Sequence, residues 1–486
     1  MTKEMLFSLA GIGGACILHP GCKTVYEKQE GAKPNIIFIL ADDLGYGDLS
    51  CYGQTSFTTN NIDKLAAKGL LFTRHYAGCT VSAPSRASLL TGKHTGHNSV
   101  RVNLNNLIAD SETTIADVLK ESGYYTGLIG KWGIGNPPPD DDPARKGFDE
   151  AYGYINMWHA HNYFPDFLVR NGSVEKIEGN VIGDYVAMTT WDEPKPAGVG
   201  YSVNQVHYSH DLLENEALKF IENHKDTTFF LFLPFTIPHA NNEADNGMEI
   251  PSYGKFSERE WPDTEKGFAS MINRLDSTVG LILDKLHKAG IAQNTLIFFT
   301  SDNGPHMEGG HRVDFFNSNG NLRGNKRDLY EGGIRVPMIA YWPEKIKPGT
   351  RTNHISSFWD FLPTFCDIAG HEIPSDIDGI SFLPLLIGNP QEQKKHDYLY
   401  WEFYEDNGKQ AVLTDNYKGI FLNLRQEPVF ELYDLNIDES EKINISSKHP
   451  EIETRMKKIM KESHSPFYIP LTEYSKYYPA GIKRQF

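Results

Sequence analysis

Five cysteines among 486 residues are too few and too scattered for a disulfide framework to hold this chain together. Positive charge is scarce too. Lys and Arg number 47 against 63 Asp and Glu, a net charge of −16, the reverse of the balance in a general nucleic-acid binder. The N-terminal apolar run from Leu6 to Leu18 falls short of the ~20 residues that cross a bilayer as a helix. No internal repeat or low-complexity segment is evident. What is present is a globular composition, 40% hydrophobic and 23% charged. The length suits one large α/β domain with an appendage, or two to three smaller units.

The run after Lys3 suits the h-region of a signal peptide, predicted here over 1–22, followed by a polar linker over 23–33. Cys22, just after a small residue, suggests lipoprotein processing and a lipid anchor, although His19 and Pro20 fit that motif poorly. The plain alternative is a buried or disordered N-terminal helix. With Cys22 acylated, only Cys51, Cys79 and Cys366 remain beyond the signal segment. That sparse, odd set agrees with a Gram-negative periplasm or outer surface, where disulfides are allowed but not required.

From Asn35 short apolar runs alternate with amphipathic stretches, which predicts a large, mostly parallel sheet covered by helices over 34–390. Strands are expected at Ile36–Leu40, Tyr125–Ile129, Thr228–Leu233 and Thr295–Thr300, and helices at Ile62–Lys68, Thr114–Glu121 and Glu265–Lys288. The stretches Pro137–Gly200 and Asn241–Trp261 lack periodicity and read as irregular borders of a site. After about Pro390 the pattern changes to Tyr398–Phe403, Ala411–Leu413, Gly419–Leu424 and Phe430–Tyr433. This predicts a small antiparallel sheet over 391–486, with a helix from Pro450 to Glu462.

The most informative segment is S-A-P-S-R-A-S-L-L-T-G from Ser82 to Gly92. Pro84 presets the first helical turn, so Ser82 falls near a helix start with Arg86 one turn on. An oxyanion there meets amide dipoles and a guanidinium together. Cys79 lacks the Pro and Arg at those offsets. Two apolar strands end in Asp42-Asp43 and in Asp302-Asn303. Four oxygen donors on two strand ends form a hard-ligand set suited to Ca²⁺.

These motifs resemble the type I, formylglycine-dependent sulfatases of the alkaline phosphatase superfamily. The resemblance rests on N-I-I-F-I-L-A-D-D-L-G-Y-G-D from Asn35, the Ser82 segment, G-K-W at Gly130, P-H-A at Pro238, S-D-N-G at Ser301, L-R-G-N-K at Leu322 and E-G-G-I-R-V-P at Glu331, in that order. It implies that Asp42, Asp43, Asp302 and Asn303 hold calcium and that Ser82 is oxidised to formylglycine, whose hydrate attacks sulfur. Arg86 would stabilise the hydrate, while Lys131, Lys326 and His239 would contact sulfate or the leaving oxygen. A serine precursor resembles substrates of the oxygen-independent radical maturase, implying that partner and an anaerobic host.

One departure stands out: the family commonly reads G-K-W-H, and here the fourth position is Gly133. His161, in W-H-A-H-N-Y with His159, is the favoured substitute, with His94 and His97 as further candidates. Aromatic and polar side chains mix at Trp158, at His311, Arg312 and Asp314, and at Trp401 and Glu402, as in carbohydrate sites. Loop packing explains such mixtures equally well. With the export signal, the mixture points to a sulfated glycan, and the resemblance to glycan-desulfating members of the family implies galactose or N-acetylgalactosamine sulfate, with exo action expected if these loops close a sugar pocket. Two rivals are a phosphomonoesterase or phosphodiesterase of the same superfamily and a non-catalytic binder of sulfated glycans.

Overall fold

Asn35–Ala41 is buried at every residue and lies in the middle of the largest sheet, as an unbroken apolar run dictates. The computed structural model describes residues 33–103, 107–135, 141–183 and 197–467. The expected signal segment, with Cys22, lies outside them. Across the sheet the order is Thr350–Thr352, Leu70–Tyr76, Arg335–Tyr341, Thr295–Ser301, Asn35–Ala41, Phe229–Pro234, Tyr125–Lys131, Glu150–Tyr154, Phe167–Arg170 and Ser173–Lys176. The short strand Ser356–Ser357 also pairs with Leu70–Tyr76. From Thr295–Ser301 to Glu150–Tyr154 the strands run parallel. Arg335–Tyr341 is antiparallel to both its neighbours.

Alternation along the central strand builds two cores. Ile37 and Ile39 face the helices Asn60–Lys68, Ser209–Asn223 and Asp263–Ala289, through Ile62, Leu213, Phe220 and Phe268 among others. Ile36, Phe38 and Leu40 face Ser82–Thr91, Ile115–Glu121 and Phe361–Ala369. Phe38 meets the rings of Phe232, Phe298, Phe361 and Phe365; truncating it to alanine costs about 3–5 kcal/mol. The register pairs Ala41 with Ser301, so Asp42 and Asp302 leave adjacent strands at one level.

The four strands Leu399–Phe403, Lys409–Thr414, Tyr417–Leu422 and Val429–Asp434 form a separate antiparallel meander. On one face the helix Pro450–Glu462 seats Met456 and Met460 against Tyr400, Val412 and Leu432. On the other, Leu399, Trp401 and Ile420 share a core with Tyr76, Val81, Leu329 and Trp359. A large, mostly parallel sheet flanked by helices, with a small antiparallel sheet, is the expected fold class. The stretch read as irregular after Pro137 instead carries Glu150–Tyr154, Phe167–Arg170 and Ser173–Lys176. These strands are too short to show alternation.

Candidate active site

Ser82 opens the helix Ser82–Thr91, every residue of which is buried. Its Oγ donates to Asp42 Oδ1 at 3.0 Å, so the helix start and the central strand end meet. One turn on, Arg86 donates through Nε and Nη2 to Asp302 Oδ2 at 3.1 and 2.8 Å, and through Nη1 to the Lys131 carbonyl at 2.7 Å. Lys131 Nζ reaches Asp42 Oδ2 at 2.7 Å. On the far side, Lys326 Nζ lies 2.9 Å from Asp43 Oδ2, 2.9 Å from Glu308 and 3.1 Å from His239 Nε2.

Hydrogen bonding fixes the state of His239. Its Nδ1 lies 2.6 Å from the Ala240 carbonyl, so Nδ1 carries the proton and Nε2 accepts from the Lys326 ammonium. Burial, together with Lys326, pushes its pKa down to about 3. The imidazole is therefore neutral over the physiological range. Burial opposes the charge of Lys326 as well, but Asp43 and Glu308 hold it above the ordinary lysine range.

The four strand-end donors fit a hard cation. Asn303 Nδ2 donates to Asp43 Oδ1 at 2.7 Å, while Asn303 Oδ1 is buried without a hydrogen-bond partner. Burial and the neighbouring Asp42 carboxylate push Asp302 up to about 7 against the pull of Arg86. Burial also disfavours the Asp42 carboxylate, yet Lys131 and Arg86 hold it below the ordinary range. Three carboxylates crowd one another despite the surrounding Arg86, Lys131 and Lys326, and one oxygen acceptor is to spare, two things a divalent cation meets.

At Gly133 φ is +70°, and a Cβ there would sit 3.2 Å from Lys131 Cε and 3.5 Å from Arg86 Cδ. The backbone leaves little room for a side chain. Of the histidines weighed as substitutes, His161 reaches the site. Its ring stacks on that of His239, with centroids 4.8 Å apart and planes 17° apart, and its Nδ1 lies 3.2 Å from Glu243 Oε2. His159 packs against Tyr154 and Phe167 in the interior. His94 and His97 lie past the other end of the Ser82 helix, where both rings face Asp378. His94 Nδ1 accepts the Gly96 amide, which leaves its Nε2 protonated toward that carboxylate. Cys79 is buried, and burial raises its thiol to about 12.

Several expected sugar contacts are corrected. Trp401 is fully buried between Tyr76 and Trp359, with Nε1 donating to the Ala77 carbonyl at 2.9 Å, so its ring is core. Glu402 is buried among Arg101, Tyr400, Tyr404 and His464, which occupy its acceptors. His311 stacks on Phe268 and bonds Glu265. Arg312 and Asp314 pair with each other at the surface, their side chains 66% and 72% exposed. Trp158 is half-buried beside the His159–His161 turn. A cavity of about 370 Å³ opens instead over Glu243, lined by Tyr201, Gln205, Asp245, Asn246, Glu249 and Tyr253 among others. Glu243 was not legible beforehand, since it lies in the aperiodic stretch after Asn241.

The family profile described as Sulfatase matches residues 34–371, and that of the N-sulphoglucosamine sulphohydrolase C-terminal region matches 324–465. Human arylsulfatase A is 33% identical over 409 residues, covering 80% of this chain and 75% of that protein. An N-acetylgalactosamine-6-O-sulfatase of Bacteroides thetaiotaomicron is 29% identical and covers 94% of this chain and 98% of its own. A solved 6S-sulfatase from Bacteroides thetaiotaomicron glycosaminoglycan metabolism superposes with a TM-score of 0.73 at 28% identity, covering 89% of this chain and 99% of that one. The profile match spans well over half of the sequence, so the chain belongs to the sulfatase family and is a sulfuric ester hydrolase.

Proposed function

We propose that this sulfatase removes sulfate from carbohydrates, acting at the chain end on galactose or N-acetylgalactosamine sulfate through a formylglycine made from Ser82. The observation that carries the reading is the Ser82–Asp42 contact at 3.0 Å, flanked by Arg86, Lys131 and Lys326. As a hydrated aldehyde, residue 82 supplies two hydroxyls, one to take up sulfate and one whose deprotonation releases it. Asp42, Asp43, Asp302 and Asn303 are the proposed holders of calcium, which would orient an oxygen of the nucleophile or the sulfate and offset the carboxylates' charge.

Arg86 steadies residue 82 from one turn along the helix, and Lys131 and Lys326 bring ammonium groups against the sulfate oxygens. Neutral His239, anchored through Nδ1, accepts from the Lys326 ammonium through Nε2 and so orients it, and that ammonium supplies the proton the leaving oxygen takes up. His161 is the proposed base for sulfate release. The sugar is assigned to the cavity over Glu243, at the small end of the range for ligand pockets. Carboxylates, amides and two tyrosines there suit hydroxyl groups and ring faces. The glycan reading also draws on the N-acetylgalactosamine-6-O-sulfatase relative. Export, a lipid anchor at Cys22 and an anaerobic radical maturase as partner belong to the same proposal.

The test is sulfate release from N-acetylgalactosamine 6-sulfate and galactose sulfates by protein from a maturation-competent host. Wild type should turn over, and Ser82→Ala should not while melting at the same temperature. Turnover by Ser82→Ala at the wild-type rate would falsify this reading.

A further inference from the structure

Glu243 lines the cavity and touches His161, and no chemical step above uses that second contact. Its carboxylate is buried, with a side chain 1% exposed, and its backbone amide is tied to Asn241 Oδ1 at 3.1 Å. The two oxygens lie 3.2 and 3.5 Å from a single atom, His161 Nδ1. A carboxylate only accepts hydrogen bonds, so that contact fixes the proton on Nδ1 and leaves Nε2 with a free electron pair. One face of the ring is stacked on His239. On the other side of the centre, position 133 is glycine and supplies no side chain, and its Cβ site already lies 3.2 Å from Lys131 Cε.

We infer that Glu243 is the positioning residue of a Glu243–His161 pair that supplies the base for sulfate release. The inference rests on the formylglycine reading of Ser82. In the release step, the second hydroxyl of residue 82 passes its proton to His161 Nε2, directly or through one water. The oxygen–hydrogen pair becomes the second bond of the aldehyde, and the carbon–oxygen bond to sulfate breaks with its pair leaving on sulfate. Water then adds across the aldehyde to restore the hydrate, and the imidazolium gives its proton to solvent. Glu243 holds the tautomer that can accept the proton and steadies the cation formed, as the carboxylate does in a hydrolase triad.

The first readout needs no modified residue. In protein that retains serine at position 82, long-range proton–nitrogen NMR of the histidine rings, with His161 assigned by its loss in His161→Gln, should show Nδ1 protonated and Nε2 bare. A bare Nδ1 overturns the proposal, whatever the fate of Ser82. Glu243→Met should lose that tautomer, while Glu243→Gln, which keeps a carbonyl acceptor, should retain it. In matured enzyme, Glu243→Met should lower kcat by about 100-fold or more. Its KM should stay near wild type, and a burst of released alcohol should precede slow sulfate release. Glu243→Gln should recover at least about tenfold of that loss. A raised KM with unchanged kcat in Glu243→Met would make Glu243 a sugar contact and overturn the positioning role. So would Glu243→Gln behaving like Glu243→Met. Failure of Ser82 to mature leaves the NMR result standing, so the two readings fail separately.

Discussion

Asp302 takes both Nε and Nη2 of Arg86 on one oxygen, Oδ2, and turns the other, Oδ1, to the backbone amide of Asp43. The pair is wholly buried. Its carboxylate is thus shared between a helix-borne cation and the adjoining strand end, and Asp42 and Asp43 crowd it with like charge.

A divalent cation relieves that crowding, so calcium should stabilise the folded protein. With calcium at about 100 times its Kd, the gain is about 2.7 kcal/mol, because the folded state alone assembles the site. Chelation should lower Tm and activity together, and Asp302→Ala should weaken calcium binding in calorimetric titration. An unchanged affinity in that variant would remove Asp302 from the ligand set.

Gly133→Ala forces an L residue into the left-handed region and sets a methyl 3.2 Å from Lys131 Cε. The expected cost is about 1–2 kcal/mol for the backbone, with a drop in kcat because Lys131 must shift. Thermal melts and steady-state kinetics check both effects. A variant as stable and active as wild type would show that the backbone there adapts freely.

Asp314→Ala should leave kcat/KM on sulfated saccharides within about threefold of wild type, since surface changes away from a site are nearly neutral. Its carboxylate meets Arg312 at the surface. Trp401→Ala should cost about 3–5 kcal/mol through the cavity it leaves. A large loss of saccharide activity in Asp314→Ala, with aryl sulfate activity retained, would return Asp314 to the sugar site.

Lys418 Nζ lies 2.9 Å from Glu331 and 3.1 Å from Glu441, and all three side chains are buried. Burial raises Glu441 to about 7 although Lys418 pulls the other way. The folded state therefore binds this proton more tightly than the unfolded chain, where the value is near the ordinary 4.5. Stability from this group is full below about pH 4.5 and is lost as pH rises toward 7. Glu441→Gln should be more stable than wild type at pH 8, with the gain vanishing by pH 4.5. Parallel melting curves across that window would refute the assignment.

Much of this was legible because the signals are local. Pro450 at a helix start and a patterned run to Glu462 set that helix, and apolar runs ending in Asp42 and Asp302 marked two strand ends, which the register makes neighbours. The Ser82 segment carries Pro84 and Arg86 within one turn. Other features depend on partners far along the chain. The strands Leu70–Tyr76 and Arg335–Tyr341 pair antiparallel across more than 250 residues of sequence. Glu243 meets a histidine 82 positions away. Trp401 was misjudged because an aromatic beside a carboxylate reads the same in a sugar site and in a core; only the opposing Tyr76 and Trp359 decide it.

The most direct measurement is mass spectrometry of the peptide spanning Ser82, taken from enzyme purified from its native host and assayed for sulfate release. The account predicts a residue lighter than serine by two hydrogens, trapped as a hydrazone by an aldehyde reagent, in a fraction that tracks specific activity. Unmodified serine throughout a fully active preparation would contradict it.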